Sequence, residues 1–220
     1  MDRLFGIGFN ANFLELLNRI SGFPSLDIKM LDPEKTVLVI MDMTEGMIKN
    51  PHKMFDPLKG IIEPVSALLR LFKDKKTEVI TFSDSHNYNS TEFRYLTPHC
   101  IEGSEGTEII TELRETGGYQ IMRKNSLNGF HCPDFQRYLA ENIKRIENYV
   151  VCGIYTDFSV MNFCLTLKSY YDQMNKEINV IVPYNAIETF SSDVHVNDLF
   201  NVISLQHMAS QGIEIVKDIR

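Results

Sequence analysis

The chain has 220 residues, 44% of them hydrophobic and 23% charged, which suits one well-filled globular domain. A net charge of -7 without any lysine or arginine cluster argues against a nucleic-acid surface. No apolar run is long enough to cross a bilayer and no charged-then-apolar leader opens the sequence, so the expected compartment is the cytoplasm and no membrane partner is expected.

Residues 1–35 read as a helical extension ahead of the main domain, 36–220. Phe13, Leu14, Leu16, Leu17 and Ile20 form a helical stripe, with Asn10 or Asn12 as its cap and Gly22 as its stop. The stripe needs a covering surface, either the main body or a second subunit, and a homo-oligomer is expected. Thr36 to Met41 is a continuous apolar run suited to a strand covered on both faces, ending in Asp42. Leu58 to Lys73 repeats apolar residues at helical spacing, and Thr77 to Phe82 predicts a second strand ending near Asp84. A helix is expected over Thr107–Arg114, closed by Gly117-Gly118, then a strand from Gln120 to Arg123 ending at Lys124. Pro133 to Ile143 reads as a helix with proline in its first turn. Tyr149 to Ile154 is a fourth strand, followed by Thr156-Asp157 as N-cap residues and a helix from Phe158 to about Met174. Ile178–Val182, a helix over Val194–Ala209 and a last strand over Ile213–Lys217 complete the chain.

Alternating strands and helices predict a single α/β domain with a mostly parallel six-stranded sheet and helices on both faces. In such sheets ligands bind off the carboxyl ends of the strands. The polar residues there are Asp42, Asp84 with His86, Lys124 and the Thr156–Ser159 turn. Singly, each has a plain structural role: Asp42 as a turn residue, Lys124 as a surface lysine, Ser159 as a first-turn serine. Together they make an acid, an amine and a hydroxyl, the last beside the N–H groups and positive dipole end of a helix. Asp84, His86, Glu92 and His99 are ligand types suited to zinc, iron or manganese, within one loop that is otherwise a solvated connection. The four cysteines, Cys100, Cys132, Cys152 and Cys164, show no CxxC spacing. Cys164 lies too far along its helix to replace Ser159.

Five stretches recur in one known family in the same order: VLVIMDMTEG ending its strand in Asp42, Asp84-Ser85-His86, Pro98-His99-Cys100, KNSLNGF from Lys124 to Phe130, and GIYTDFSV. From about Thr36 to Lys217 the chain resembles the isochorismatase-like cysteine hydrolases, and within them the nicotinamidases. The resemblance implies a Rossmann-like three-layer fold and hydrolysis of a small-molecule amide such as nicotinamide to the acid and ammonia. It casts Asp42 as base, Lys124 as its partner, and the N–H groups of Tyr155 and Ser159 as an oxyanion hole, with a cis peptide at Ile154–Tyr155. It implies a divalent metal on Asp84, His86, Glu92 and His99, zinc first and iron or manganese as alternatives. Substrate walls fall on Met47 and Leu96, with Phe130 or Tyr155 as a stacking face. The sequence departs from the family in three places: Ser159 stands where the nucleophilic cysteine is found, Asn185 where an aspartate is frequent, and tryptophan is absent. Ser159 leaves open an inactivated or divergent amidase. Two rivals are vinyl-ether hydrolysis with Asp42 as acid, and a non-catalytic module that binds a small ligand.

Overall fold

Strand β1 (Thr36–Met41) is buried along its whole length, which its unbroken run of aliphatic residues requires. Alternate side chains divide between two cores: Val37, Val39 and Met41 pack on one face of the sheet, Leu38 and Ile40 on the other. The computed structural model describes residues 9–220, with side chains described from Leu14 onward. The helices are α1 (Phe9–Ser21), α2 (Glu45–Ile48), α3 (Ile62–Asp74), α4 (Thr111–Thr116), α5 (Pro133–Asn142), α6 (Met161–Gln173) and α7 (Asn197–Ser210). The strands after β1 are β2 (Glu78–Asp84), β3 (Gln120–Lys124), β4 (Asn148–Ile154), β5 (Asn179–Pro183), β6 (Ile187–Glu188) and β7 (Glu214–Val216). Their order is β3-β2-β1-β4-β5-β7, with β6 attached to β4, and every pairing is parallel. Buried residues of α5, α6 and α7 fill one core, and those of α3 and α4 fill the other. The result is a single three-layer α/β domain.

Among the described residues there are seven strands where six were expected, because β6 has only two residues and leaves no periodic signal. Helix starts also differ. Lys53–Ile61, around Pro57, is a 3₁₀ segment, so α3 starts at Ile62 rather than Leu58. The helix expected over Thr107–Arg114 is a 3₁₀ turn at Glu105–Thr107 followed by α4. A distant carboxylate sets that start: Glu45 Oε1 accepts from both the N–H and the hydroxyl of Thr111 at 3.1 Å. α7 begins at Asn197 because Ser192 and His195 close a turn just before it, with backbone bonds of 2.8 and 3.2 Å.

Asn10 and Asn12 lie inside α1, which already includes Phe9, so neither caps it. Phe13 carries no side-chain description. Ile20 is buried in the core, whereas Leu14 and Leu17 are exposed. Residues 24–28 then run beside the C-terminus, with Leu26 and Ile28 N–H donating to the Asp218 and Arg220 carbonyls at 2.9 Å. Among the described residues no helix is long and apolar enough to cross a membrane.

The carboxyl ends of β1 and β4 meet closely. Gly153 pairs with Met41 and has φ of +108°, and a Cβ there would lie 2.2 Å from the Met41 carbonyl oxygen. Gly153→Ala is expected to destabilise the fold by about 3 kcal/mol or more, since backbone rather than a flexible side chain is in the way. Urea denaturation checks this; an unchanged midpoint would show that the two strand ends can separate freely.

Candidate active site

Parallel register aligns the site before any side chain is considered. Asp84 and Lys124, the last residues of β2 and β3, are direct partners in the sheet. Asp42 follows β1, one strand over, and its N–H donates to the Phe82 carbonyl at 3.2 Å. The backbone then turns through φ of +54° at Asp42, a conformation aspartate tolerates better than most residues, and Thr44 N–H closes the bend on the Asp42 carbonyl at 2.7 Å. Asp42, Lys124 and Ser159 are each no more than 2% exposed.

Lys124 Nζ lies 3.0 Å from Asp42 Oδ2 and also contacts Asp84 Oδ1. Neither oxygen of Asp42 accepts a well-aligned hydrogen bond from the described residues, so the Lys124 contact is chiefly electrostatic. Burial, reinforced by the negative charge of Asp84, raises the pKa of Asp42 well above the ordinary carboxylate range, although Lys124 and the Ser159 hydroxyl pull the other way. Burial acts on Asp84 in the same direction, yet Lys124 and His86 outweigh it and hold Asp84 below the ordinary value. Lys124 loses solvation too, but the two carboxylates keep it firmly protonated. One cation thus serves two acids that titrate apart, an arrangement that separates acid and base roles.

Ser159 reaches this group from the turn between β4 and α6. The Ile154–Tyr155 peptide is cis, as expected. Residues Thr156–Val160 then form a wide π-type turn, and the α-helix proper begins at Met161 rather than Phe158. Phe158 and Val160 N–H both donate to the Tyr155 carbonyl, at 3.2 and 3.1 Å. Thr156 and Asp157 do not cap the helix. The Thr156 hydroxyl has no partner, and the Asp157 carboxylate is taken by Thr189 and His195, donors that only the folded chain brings near. Cys164 lies wholly in the core, where burial pushes its thiol up, and all four cysteines are free and buried.

Asp84, His86 and His99 present ligand atoms within 4.8 Å of one another. The imidazoles are oriented for this. Nδ1 of His86 faces Asn125 Oδ1 at 3.3 Å, and the Asn87 N–H donates to the same oxygen, which identifies it as an acceptor. Nδ1 of His99 faces the Thr97 carbonyl at 2.8 Å. With the proton on Nδ1, each ring could offer Nε2 to a cation beside Asp84, from which it lies 3.8 Å away in His86 and 4.0 Å in His99. His86 Nε2 is buried without a hydrogen-bond partner, the condition a metal ion relieves. The donor set fits a divalent cation. Glu92 stands outside this group of three. It is buried in the same loop, and its Oε1 accepts from Leu127 N–H at 2.8 Å.

The expected substrate walls differ in exposure. Met47 is buried, and its sulfur accepts from the Tyr155 hydroxyl at 3.1 Å. Leu96 is 41% exposed on the ligand loop. Phe130 is not a free stacking face: its ring packs in the core against Phe135 and Tyr170, with centroids 6.1 and 5.4 Å away. Aromatic surface near Tyr155 comes instead from Phe158 and Phe190. Asn125 also escaped the sequence reading, although its place directly after Lys124 was a usable signal.

The strand ends of this three-layer α/β domain thus gather a buried acid–amine pair and a hydroxyl in the turn before α6, with His86 and His99 in the segment that follows β2. The chain belongs to the isochorismatase family: residues 36–211 match the Isochorismatase domain. Nicotinamidase 1 of Arabidopsis thaliana is 28% identical over 211 residues, covering 83% of this chain and 85% of that protein. The fold is shared with the pyrazinamidase/nicotinamidase of Streptococcus mutans, at TM-score 0.69 and 18% identity over 82% of this chain and 99% of that one. It is shared too with a pyrazinamidase of Pyrococcus horikoshii solved in complex with zinc, at TM-score 0.65 and 23% identity over 83% and 99%.

Proposed function

We propose that this chain is a nicotinamidase-type amidohydrolase, cleaving the C–N bond of a small carboxamide such as nicotinamide, with Ser159 in the place of the family's nucleophilic cysteine. The observation that carries the reading is the Asp42–Lys124 contact of 3.0 Å with the Ser159 hydroxyl beside it. Asp42 takes the hydroxyl proton as Ser159 Oγ attacks the amide carbon. The N–H groups of Tyr155 and Ser159 hold the negative charge that develops on the carbonyl oxygen. Asp42 then delivers its proton to the departing nitrogen, releasing ammonia and leaving an ester on Ser159. A water that gives its proton to Asp42 cleaves that ester to the free acid. Lys124, locked between two carboxylates, keeps Asp42 aimed throughout.

Asp84, His86 and His99 would hold the divalent cation, zinc first, with Glu92 close by in the loop. Bound there, the ion supplies a Lewis-acid anchor for an electron-rich atom of the substrate, such as a ring nitrogen. Met47, Leu96 and Tyr155 are the walls of the substrate pocket in this reading. The cytoplasmic location and homo-oligomeric state belong to the same proposal.

The proposal is tested by ammonia release from nicotinamide and related amides, with Ser159→Cys as the activated form. A folded, metal-loaded Ser159→Cys chain without activity on any of them sinks it. Purified protein is expected to hold about one equivalent of zinc, iron or manganese per chain, and His86→Ala to hold less than about a tenth of that. Elemental analysis decides the point, and equal metal content in both proteins would remove the site.

One observation favours a second reading. Burial holds Asp42 above the ordinary carboxylate range, which suits a proton donor to a vinyl ether as well as a base. That reaction needs no nucleophile, so isochorismate hydrolysis would survive Ser159→Ala.

A further inference from the structure

Asp157 lies two residues before Ser159, inside the Thr156–Val160 turn, and both its oxygens are held by a segment far away in the chain. Thr189 Oγ1 donates to Oδ1 at 2.6 Å, and His195 Nε2 donates to Oδ2 at 2.7 Å. The other ring nitrogen of His195, Nδ1, faces the Phe190 carbonyl oxygen at 2.9 Å. Both partners are acceptors, so a ring that satisfies them carries two N–H groups and a positive charge. That ring lies flat between Phe190 and Phe200, with centroids 4.0 and 3.8 Å away and planes within 13° of parallel. His195 is 8% exposed, where a charge-assisted bond keeps most of its strength. The other carboxylates of these elements are engaged or solvated: Glu188 accepts from Thr189 N–H, Asn197 and Asn201, and Asp193 and Asp198 are exposed.

We propose that His195 is a positioning residue. Its ion pair with Asp157, braced by Thr189, straps residues 189–195 to the nucleophile turn and holds Ser159 in line with Asp42 and Lys124. This inference rests on the reading of Thr156–Val160 as the nucleophile turn. No substrate contact is assigned to His195; it acts through the backbone that carries Ser159.

The test uses the full chain carrying Ser159→Cys, with His195→Phe and His195→Gln added separately. Phenylalanine keeps the aromatic stack and removes both donors. Glutamine retains an N–H for Asp157. His195→Phe is expected to lower kcat for amide hydrolysis on the order of 10- to 100-fold, the effect of a displaced nucleophile, with KM changed by less than about twofold. His195→Gln is expected to recover most of the loss. In the chain without substitutions, nitrogen-15 spectra are expected to show two ring N–H groups on His195, and His195→Phe is expected to speed amide exchange across residues 156–160. Unchanged kcat in His195→Phe, an equal loss in His195→Gln, or a single ring N–H would overturn the proposal. If the Ser159→Cys chain proves inactive, the amidase reading fails by itself and exchange decides the strap: faster exchange across 156–160 supports it, and unchanged exchange overturns it.

Discussion

Ser159→Cys is expected to raise the rate of amide hydrolysis by roughly a hundredfold or more, because a thiol surrenders its proton far more readily than a hydroxyl and attacks better as the anion. The surroundings are suited to that exchange. The position is 2% exposed, at the start of a helix whose dipole favours an anion, and beside Asp42. Replacing oxygen by sulfur adds little volume, so stability should hardly move. Initial rates of ammonia release from the two chains, each with its metal content measured, make the comparison. Equal rates would mean that attack by this side chain does not limit the reaction, and would shift weight to the reading in which Asp42 donates a proton and no covalent bond forms.

Lys124→Met is expected to be the most damaging single change outside the glycine at the β1–β4 junction. Lys124 is 2% exposed and is the cation between Asp42 and Asp84, so its loss strands two carboxylates in the interior. Removing one partner of such a buried arrangement costs about 3–5 kcal/mol. The pH dependence follows from the two shifts. Asp84 is held below its ordinary value, so its contribution to stability is present above the unfolded-state pKa and disappears as pH falls through the folded one. Asp42 is raised, so it favours the folded state most in acid and less as pH rises. Without Lys124 both carboxylates move upward, and the deficit relative to the parent chain should be largest near neutrality and shrink in acid. Urea denaturation at about pH 7 and about pH 4 measures this. A deficit below about 1 kcal/mol, or one independent of pH, would show that the buried charges are compensated by groups other than Lys124.

Much of the architecture could be read directly from the residues. Thr36–Met41, the Asp84 strand and the Tyr149–Ile154 run are apolar segments with polar groups at or just past their ends, and these and the Lys124 strand lie close to where the sequence places them. A parallel sheet gathers its carboxyl ends on one side, so a list of strand-terminal side chains was already a list of neighbours. Glu45, remote in sequence, sets the start of α4, whereas the turn that delays α7, Ser192–His195, is local.

The amino-acid order by itself determined the strand-and-helix alternation, the parallel sheet, and the candidates at its strand ends, Asp42, Asp84, His86, Lys124 and Ser159, because local patterning and strand ends are short-range properties. Only the tertiary structure decided which carboxylate is raised and which lowered, since that depends on how one buried ammonium is shared between them. It also placed a Glu92 oxygen on the Leu127 N–H, withdrew Phe130 into the core, and joined Asp157 to a histidine 38 residues away. Hydrogen-bond partners and desolvation arise from segments remote in sequence, and no periodicity or spacing encodes them.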